Sequence, residues 1–168
     1  MTINTQNRDH RFGKVEETGM ILNTAGEMVS KWIKVVENKF KEIRIDDYVI
    51  MPDHVHLLIM ISPRNEGADR RVCPIIEEEK SDYSNSETGK HVGLPLHRVV
   101  QWIKTMTTNE YIRGVREGIW PRFDKRLWQR NYNDRIVRDG RDLFFWRYYI
   151  QNNPEVYYLK NLSLNKEF

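Results

Sequence analysis

The stretch YVIMPDHVHLLI, residues 48–59, constrains the chain more than any other. Tyr48, Val49 and Ile50 are β-type residues, Met51-Pro52-Asp53 is a turn, and Val55 to Ile61 is a second, nearly unbroken β-type run. This predicts two antiparallel strands joined at Pro52-Asp53. Side chains alternate along a strand, so Val55, Leu57, Ile59 and Ile61 point one way and His54 and His56 the other. Two imidazoles on one face, with ring nitrogens able to converge, can hold a divalent cation once one or two oxygen or amide donors arrive from elsewhere. The same pattern suits a plain polar sheet face or a half-buried pair, so by itself it leaves both readings open.

The segments around this pair supply the frame. Residues 1–8 read as the end of a strand that begins before the chain does, with Thr2, Asn4 and Gln6 alternating against Ile3 and Thr5. Asn23 or Thr24 caps a helix predicted to run to about Phe40, in which Met28, Trp32, Val35 and Val36 recur at helical spacing. Residues 63–94 are dominated by Pro, Gly, Ser, Asn and acids (EEEKSDYSNSETGK) and are expected to be a long mobile insertion within a single domain of 168 residues. A second helix is predicted from Leu96 to about Arg116, an extended segment or strand over Leu127–Val137, and a third helix from about Arg141 to Asn152, ended by Pro154. The order strand, helix, strand, strand, helix, strand, with one helix appended, predicts an α+β fold. Its expected form is a ferredoxin-like antiparallel sheet with helices on one face.

Composition excludes some classes. At 39% hydrophobic and 30% charged residues, with no apolar run near the roughly 20 residues that span a bilayer, the chain reads as soluble, and no membrane partner is expected. The opening MTINTQNRDHRF lacks the pattern of a signal peptide, and the single cysteine, Cys73, forms no internal disulfide. A cytoplasmic setting is expected. Net charge is only +3, but residues 98–141 hold eleven Lys or Arg against five Asp or Glu. Trp102, Tyr111, Trp120, Phe123, Trp128 and Tyr132 are interleaved with them. That mixture suits a surface that neutralises phosphates and stacks bases, and it equally suits a solvated helix face over core aromatics. The candidates for nucleic-acid contact are Arg98, Lys104, Arg126, Trp128, Gln129, Arg130 and Tyr132.

The last predicted helix carries RYYIQNNP, residues 147–154. Tyr149 and Asn153 are four apart and share a face, as do Tyr148 and Asn152, while Leu143, Trp146 and Ile150 form the stripe expected to pack on the sheet. Tyrosines here serve either as packing aromatics or as a reactive phenol.

Three ordered blocks, YVIMPDHVHLLI, LWQRNYNDRIVR and RYYIQNNP, resemble the signature blocks of the REP-associated tyrosine transposases, within the single-tyrosine HUH transposases of bacterial insertion sequences. TINTQNRDHRFGKV resembles that family's first strand and following loop, so the likeness spans nearly the whole chain outside 63–94, where the acidic insertion is longer than the family pattern. The resemblance implies that His54 and His56 ligate Mg²⁺ or Mn²⁺, that Tyr149 is the nucleophile, and that Asn153 stands where relatives carry a metal-binding amide or polar residue. Tyr132 would then suit base or backbone contact. The implied activity is cleavage and rejoining of single-stranded, hairpin-forming DNA through a 5′-phosphotyrosine. A silent DNA-binding protein acting on repeat elements and a water-using metal phosphodiesterase are the alternatives. A homodimer, with the last helix serving the partner's site, and a monomer both fit the sequence.

Overall fold

The computed structural model describes residues 1–62 and 95–164, and the insertion expected at 63–94 lies outside the described residues. The elements are β1 (Thr2–Asn4), a 3₁₀ turn (Gln6–Arg8), β2 (Gly13–Glu16), β3 (Gly19–Leu22), α1 (Thr24–Lys34), α2 (Val36–Lys39), β4 (Ile43–Ile50), β5 (His54–Ile61), α3 (Pro95–Arg116) and α4 (Gly140–Leu164). The fold is thus mixed α and β, built on an antiparallel sheet of order β1-β5-β4, with β2 and β3 forming a separate hairpin. Among the described residues no helix is long and apolar enough to cross a membrane.

The strand pair predicted around Pro52-Asp53 is β4 and β5, closed by a hydrogen bond from the Met51 amide to the His54 carbonyl, 2.8 Å. Register places Ile3 opposite Val55, and Ile50 opposite Val55 on the other side, so these residues share one face of the sheet. That face is the core: Ile3, Ile43, Ile50, Val55 and Leu57 pack with Met28, Val29 and Ile33 of α1 and Val99, Val100 and Ile103 of α3. α1 starts where expected, because the Asn23 side chain accepts a hydrogen bond from the Gly26 amide at 2.9 Å. It breaks at Val35, and α2 supplies the last turn before Phe40.

Two local expectations change and one is narrowed. The glycines at 13 and 19 frame the β2–β3 hairpin, which begins within the segment where the resemblance implies a loop. Residues 127–137 are extended but form only two isolated bridges, Trp128 with Thr5 and Asn133 with Thr2, along the free edge of β1. The third helix does not end at Asn152. It continues through Pro154 to Leu164, because restriction of the residue before proline is a bias that tertiary anchoring on both sides of Asn153 overrides.

Candidate active site

With the apolar half of β5 in the core, its other residues face away from α1 and α3. His54 and His56 lie there, opposite Asn4 and Thr2 of β1 in register. Their Nε2 atoms are 3.1 Å apart. Each ring is held from behind: His54 Nδ1 meets Asp53 Oδ1 at 2.5 Å, and His56 Nδ1 meets Thr2 Oγ1 at 2.8 Å. Such contacts fix ring orientation and aim the opposite nitrogens. Burial first, and then the charge of His54, pushes His56 down from 6.5 to about 3. It is therefore neutral near pH 7, with a lone pair to offer. Burial raises the Asp53 carboxyl, but the His54 hydrogen bond and the charges of His54, Arg8 and His10 outweigh it, so the group titrates below the usual carboxylate range.

α4 crosses this face. The Arg147 guanidinium donates to both carboxylate oxygens of Asp46, at 2.7 and 2.6 Å, and Gln151 Nε2 donates to Asp47 Oδ2 at 3.0 Å. Both acids sit where the β4–β5 register shifts between Ile45 and Asp47. Below these clamps Ile150 is buried, the Tyr149 ring meets the His56 ring edge-on with centroids 5.3 Å apart, and Asn153 is only 8% exposed. Tyr148, one residue away, is 60% exposed, as a rotation of about 100° per residue requires.

A cavity of about 310 Å³ is lined by His54, His56, Tyr149 and Asn153 together. Arg8 and Lys160 also line it, and sequence reasoning missed both. Arg8 has φ +59°, the left-handed region that non-glycine residues seldom adopt, and places its Nε 2.8 Å from Asp53 Oδ2 while also donating to Asn4. Lys160 reaches the cavity because α4 continues beyond Pro154. Neither carries a local sequence signal.

The donor set suits a divalent cation. Two nitrogens bound at about 2.0–2.1 Å to one ion at near right angles lie roughly 3 Å apart, the spacing His54 and His56 show. Among the described residues no group of three or more His, Cys, Asp or Glu is poised to hold a metal, and Asp53 is committed to His54 and Arg8. A third protein donor would be the Asn153 amide.

The residues expected to contact nucleic acid divide. A second cavity, about 650 Å³, runs between α3 and residues 123–132 and is lined by Lys104, Arg126, Gln129, Arg130 and Tyr132. Arg126 and Arg130 are exposed, and Arg98 is exposed on α3 outside this lining. Trp128 also lines this cavity, but it is 4% exposed, packs on Phe12 and donates its N–H to Thr107 at 2.9 Å, so most of it lies in the core. The Lys104 ammonium, in the same lining, donates to the carbonyls of Gln129, Arg130 and Asn131 at 2.8, 3.2 and 3.0 Å. It holds the extended segment in place. Tyr132 lies by Lys104 and His97 and does not line the cavity of His54, His56, Tyr149 and Asn153. Burial, and then Asp134, raise its phenol above the usual range, which opposes phenolate formation.

No family model and no solved structure matches the chain. The chain belongs to the same family as a protein of Haemophilus influenzae described as an uncharacterized protein, with which it is 30% identical over 159 residues, 92% of this chain and 78% of that protein.

Proposed function

We propose that the protein is a REP-associated tyrosine transposase that cleaves and rejoins single-stranded, hairpin-forming DNA. The observation that carries this reading is the edge-on contact of Tyr149 with His56, on the face where two imidazole nitrogens converge. The extended segment 127–133, β1, β5 and β4 lie side by side in that order, which supports a ferredoxin-like arrangement.

The Tyr149 oxygen attacks the scissile phosphorus in line, losing its proton, and the bond to the 3′ oxygen breaks. That oxygen takes up a proton and leaves as a 3′-hydroxyl, while the downstream strand stays joined to the protein as a 5′-phosphotyrosine. A second 3′-hydroxyl reverses the step, so strands exchange without an external energy source. Arg8 and Lys160 place positive charge beside the phosphate as it gains charge. Mg²⁺ or Mn²⁺ held by His54, His56 and the Asn153 amide oxygen would supply Lewis-acid polarisation of the phosphate. The groove beside α3 receives the rest of the strand, with Arg126 and Arg130 on phosphates and Tyr132 against a base.

Denaturing gels with a labelled single-stranded hairpin and Mn²⁺ test this. The unaltered chain, Tyr148→Phe and Tyr132→Phe should form a covalent adduct, and Tyr149→Phe should bind the strand but form none. An adduct that persists in Tyr149→Phe removes Tyr149 as nucleophile. Binding without an adduct in any form leaves the silent DNA-binding protein as the reading.

A further inference from the structure

The groove between α3 and residues 123–132, about 650 Å³, has two unlike walls. On the segment side Lys125, Arg126 and Arg130 are exposed, and the Lys104 ammonium is drawn to that side by the carbonyls of Gln129, Arg130 and Asn131. Besides His97 at the helix start, the exposed lining from α3 is neutral: Gln101, Thr105 and Asn109. The other charged residues of α3, Arg98, Glu110, Arg113 and Arg116, lie outside the groove. Among the described residues no Asp or Glu lines either wall.

Gln101, Thr105 and Asn109 recur at every fourth position, so they form one row along the helix with a rise of about 6 Å per step. Each carboxamide sets an acceptor oxygen beside a donor NH₂. Thr105 Oγ1 donates to the Gln101 carbonyl at 2.8 Å and keeps its lone pairs for an incoming donor. Such groups suit base edges. A carboxamide pairs through two hydrogen bonds with an adjacent acceptor and donor, the pattern adenine shows at N7 and N6, and a base without that pattern leaves a group unpaired. Phosphates carry no donor and gain most from the cations opposite. A strand lying in the groove satisfies both walls at once when its backbone meets residues 125–130 and its bases turn to α3.

We propose that Gln101 and Asn109 read base identity in the single strand held by this groove, so that α3 sets sequence preference while Lys125, Arg126 and Arg130 supply sequence-independent affinity. The inference rests on the single-strand reading above and adds to it the residues that discriminate sequence. Gln101 and Asn109 are separated by a rise of about 12 Å along the helix. A stacked strand advances about 3.4 Å per nucleotide, so the two amides meet different bases.

The test uses the full chain carrying Tyr149→Phe, which leaves the strand uncut, and a library of single-stranded DNA with a randomised stretch, sorted by binding at fixed salt and sequenced. The selected strands should share preferred bases at defined positions. Gln101→Ala and Asn109→Ala change exposed helical positions, where alanine is well accommodated. Each should erase the preference at one position, a different one for each variant, and weaken binding of the preferred strand about tenfold while a strand mismatched there binds as before. Arg126→Ala should weaken all strands alike and keep the preferences. Unaltered preferences in both amide variants overturn the proposal. So does a uniform loss of affinity in them, which would put the amides on the backbone, and so does a selection without preferred bases. Adduct formation by the chain with Tyr149 intact, together with unaltered preferences in the amide variants, sinks the reading role of α3 and leaves the transposase reading standing. Amide-dependent preferences with no adduct keep the reading role and sink the cleavage step.

Discussion

Asp53 joins His54 and Arg8 through one carboxylate. One oxygen faces His54 Nδ1 and the other accepts from Arg8 Nε; the Asp53 and His54 side chains are both buried, while the Arg8 side chain is half exposed. Asp53→Asn keeps the shape but removes the charge that balances Arg8, and it allows the amide to present a donor to His54 in place of an acceptor. Losing such an outer partner lowers metal affinity by roughly 10–100-fold in metalloproteins. Isothermal titration with Mn²⁺ should show a loss of that size in Asp53→Asn, with the unfolding transition still cooperative. Unchanged Mn²⁺ affinity would mean that His54 needs no orienting partner. Thr2 plays the matching part for His56, so each histidine ring is held by a side chain from outside the pair.

Among the elements, α4 and α3 show opposite relations between local preference and packing. Pro154 removes one amide donor from the interior of α4, a local defect. The helix persists because Arg147 and Gln151 hold its first half to Asp46 and Asp47, while Tyr157 meets His10 Nε2 at 3.2 Å in its second half. Asn153 and Lys160 reach the same cavity only through this continuity. In α3, Gly114 is an apparent weakness that packing requires. A β-carbon there would stand 2.3 Å from Trp120 Cε3, and Trp120 also packs on Tyr111 and donates to Thr24 Oγ1 at 2.8 Å. Alanine in a helix ordinarily stabilises by about 1 kcal/mol over glycine. Gly114→Ala should instead destabilise by about 1–3 kcal/mol through overpacking, read from urea unfolding midpoints; a gain in stability would show that Trp120 yields without cost.

At the scale of the whole molecule, charge is divided between structure and surface. Lys104 is spent on three backbone carbonyls, whereas Lys125, Arg126 and Arg130 are exposed around the same groove. If these three contact phosphates of a single strand, the logarithm of affinity should fall with the logarithm of salt at a slope of about −2, from roughly −0.7 per phosphate. Arg126→Ala and Arg130→Ala should each flatten that slope by about 0.7, measured by fluorescence anisotropy across a salt series. Lys104→Ala should lower thermal stability with the slope nearly kept. A salt-independent affinity, or a slope that changes with Lys104 alone, would remove the groove from the binding surface.

What the sequence determined by itself is local. The period of two along residues 54–61 places His54 and His56 on the face opposite Val55 and Leu57, and the turn at Pro52-Asp53 closes the strand pair. The spacing of four puts Tyr149 and Asn153 on one side of a helix. These features were legible because backbone geometry imposes them on any chain with that pattern. Only the tertiary structure decided which tyrosine meets the histidines, through an ion pair between Asp46 and Arg147, 101 positions apart, that has no periodic signature. It also withdrew Trp128 into the core, tied Lys104 to carbonyls, carried α4 past Pro154, and brought Arg8 and Lys160 beside the site. Each outcome depends on contacts between residues distant in the chain, whose energies act only after the sheet and helices have come together.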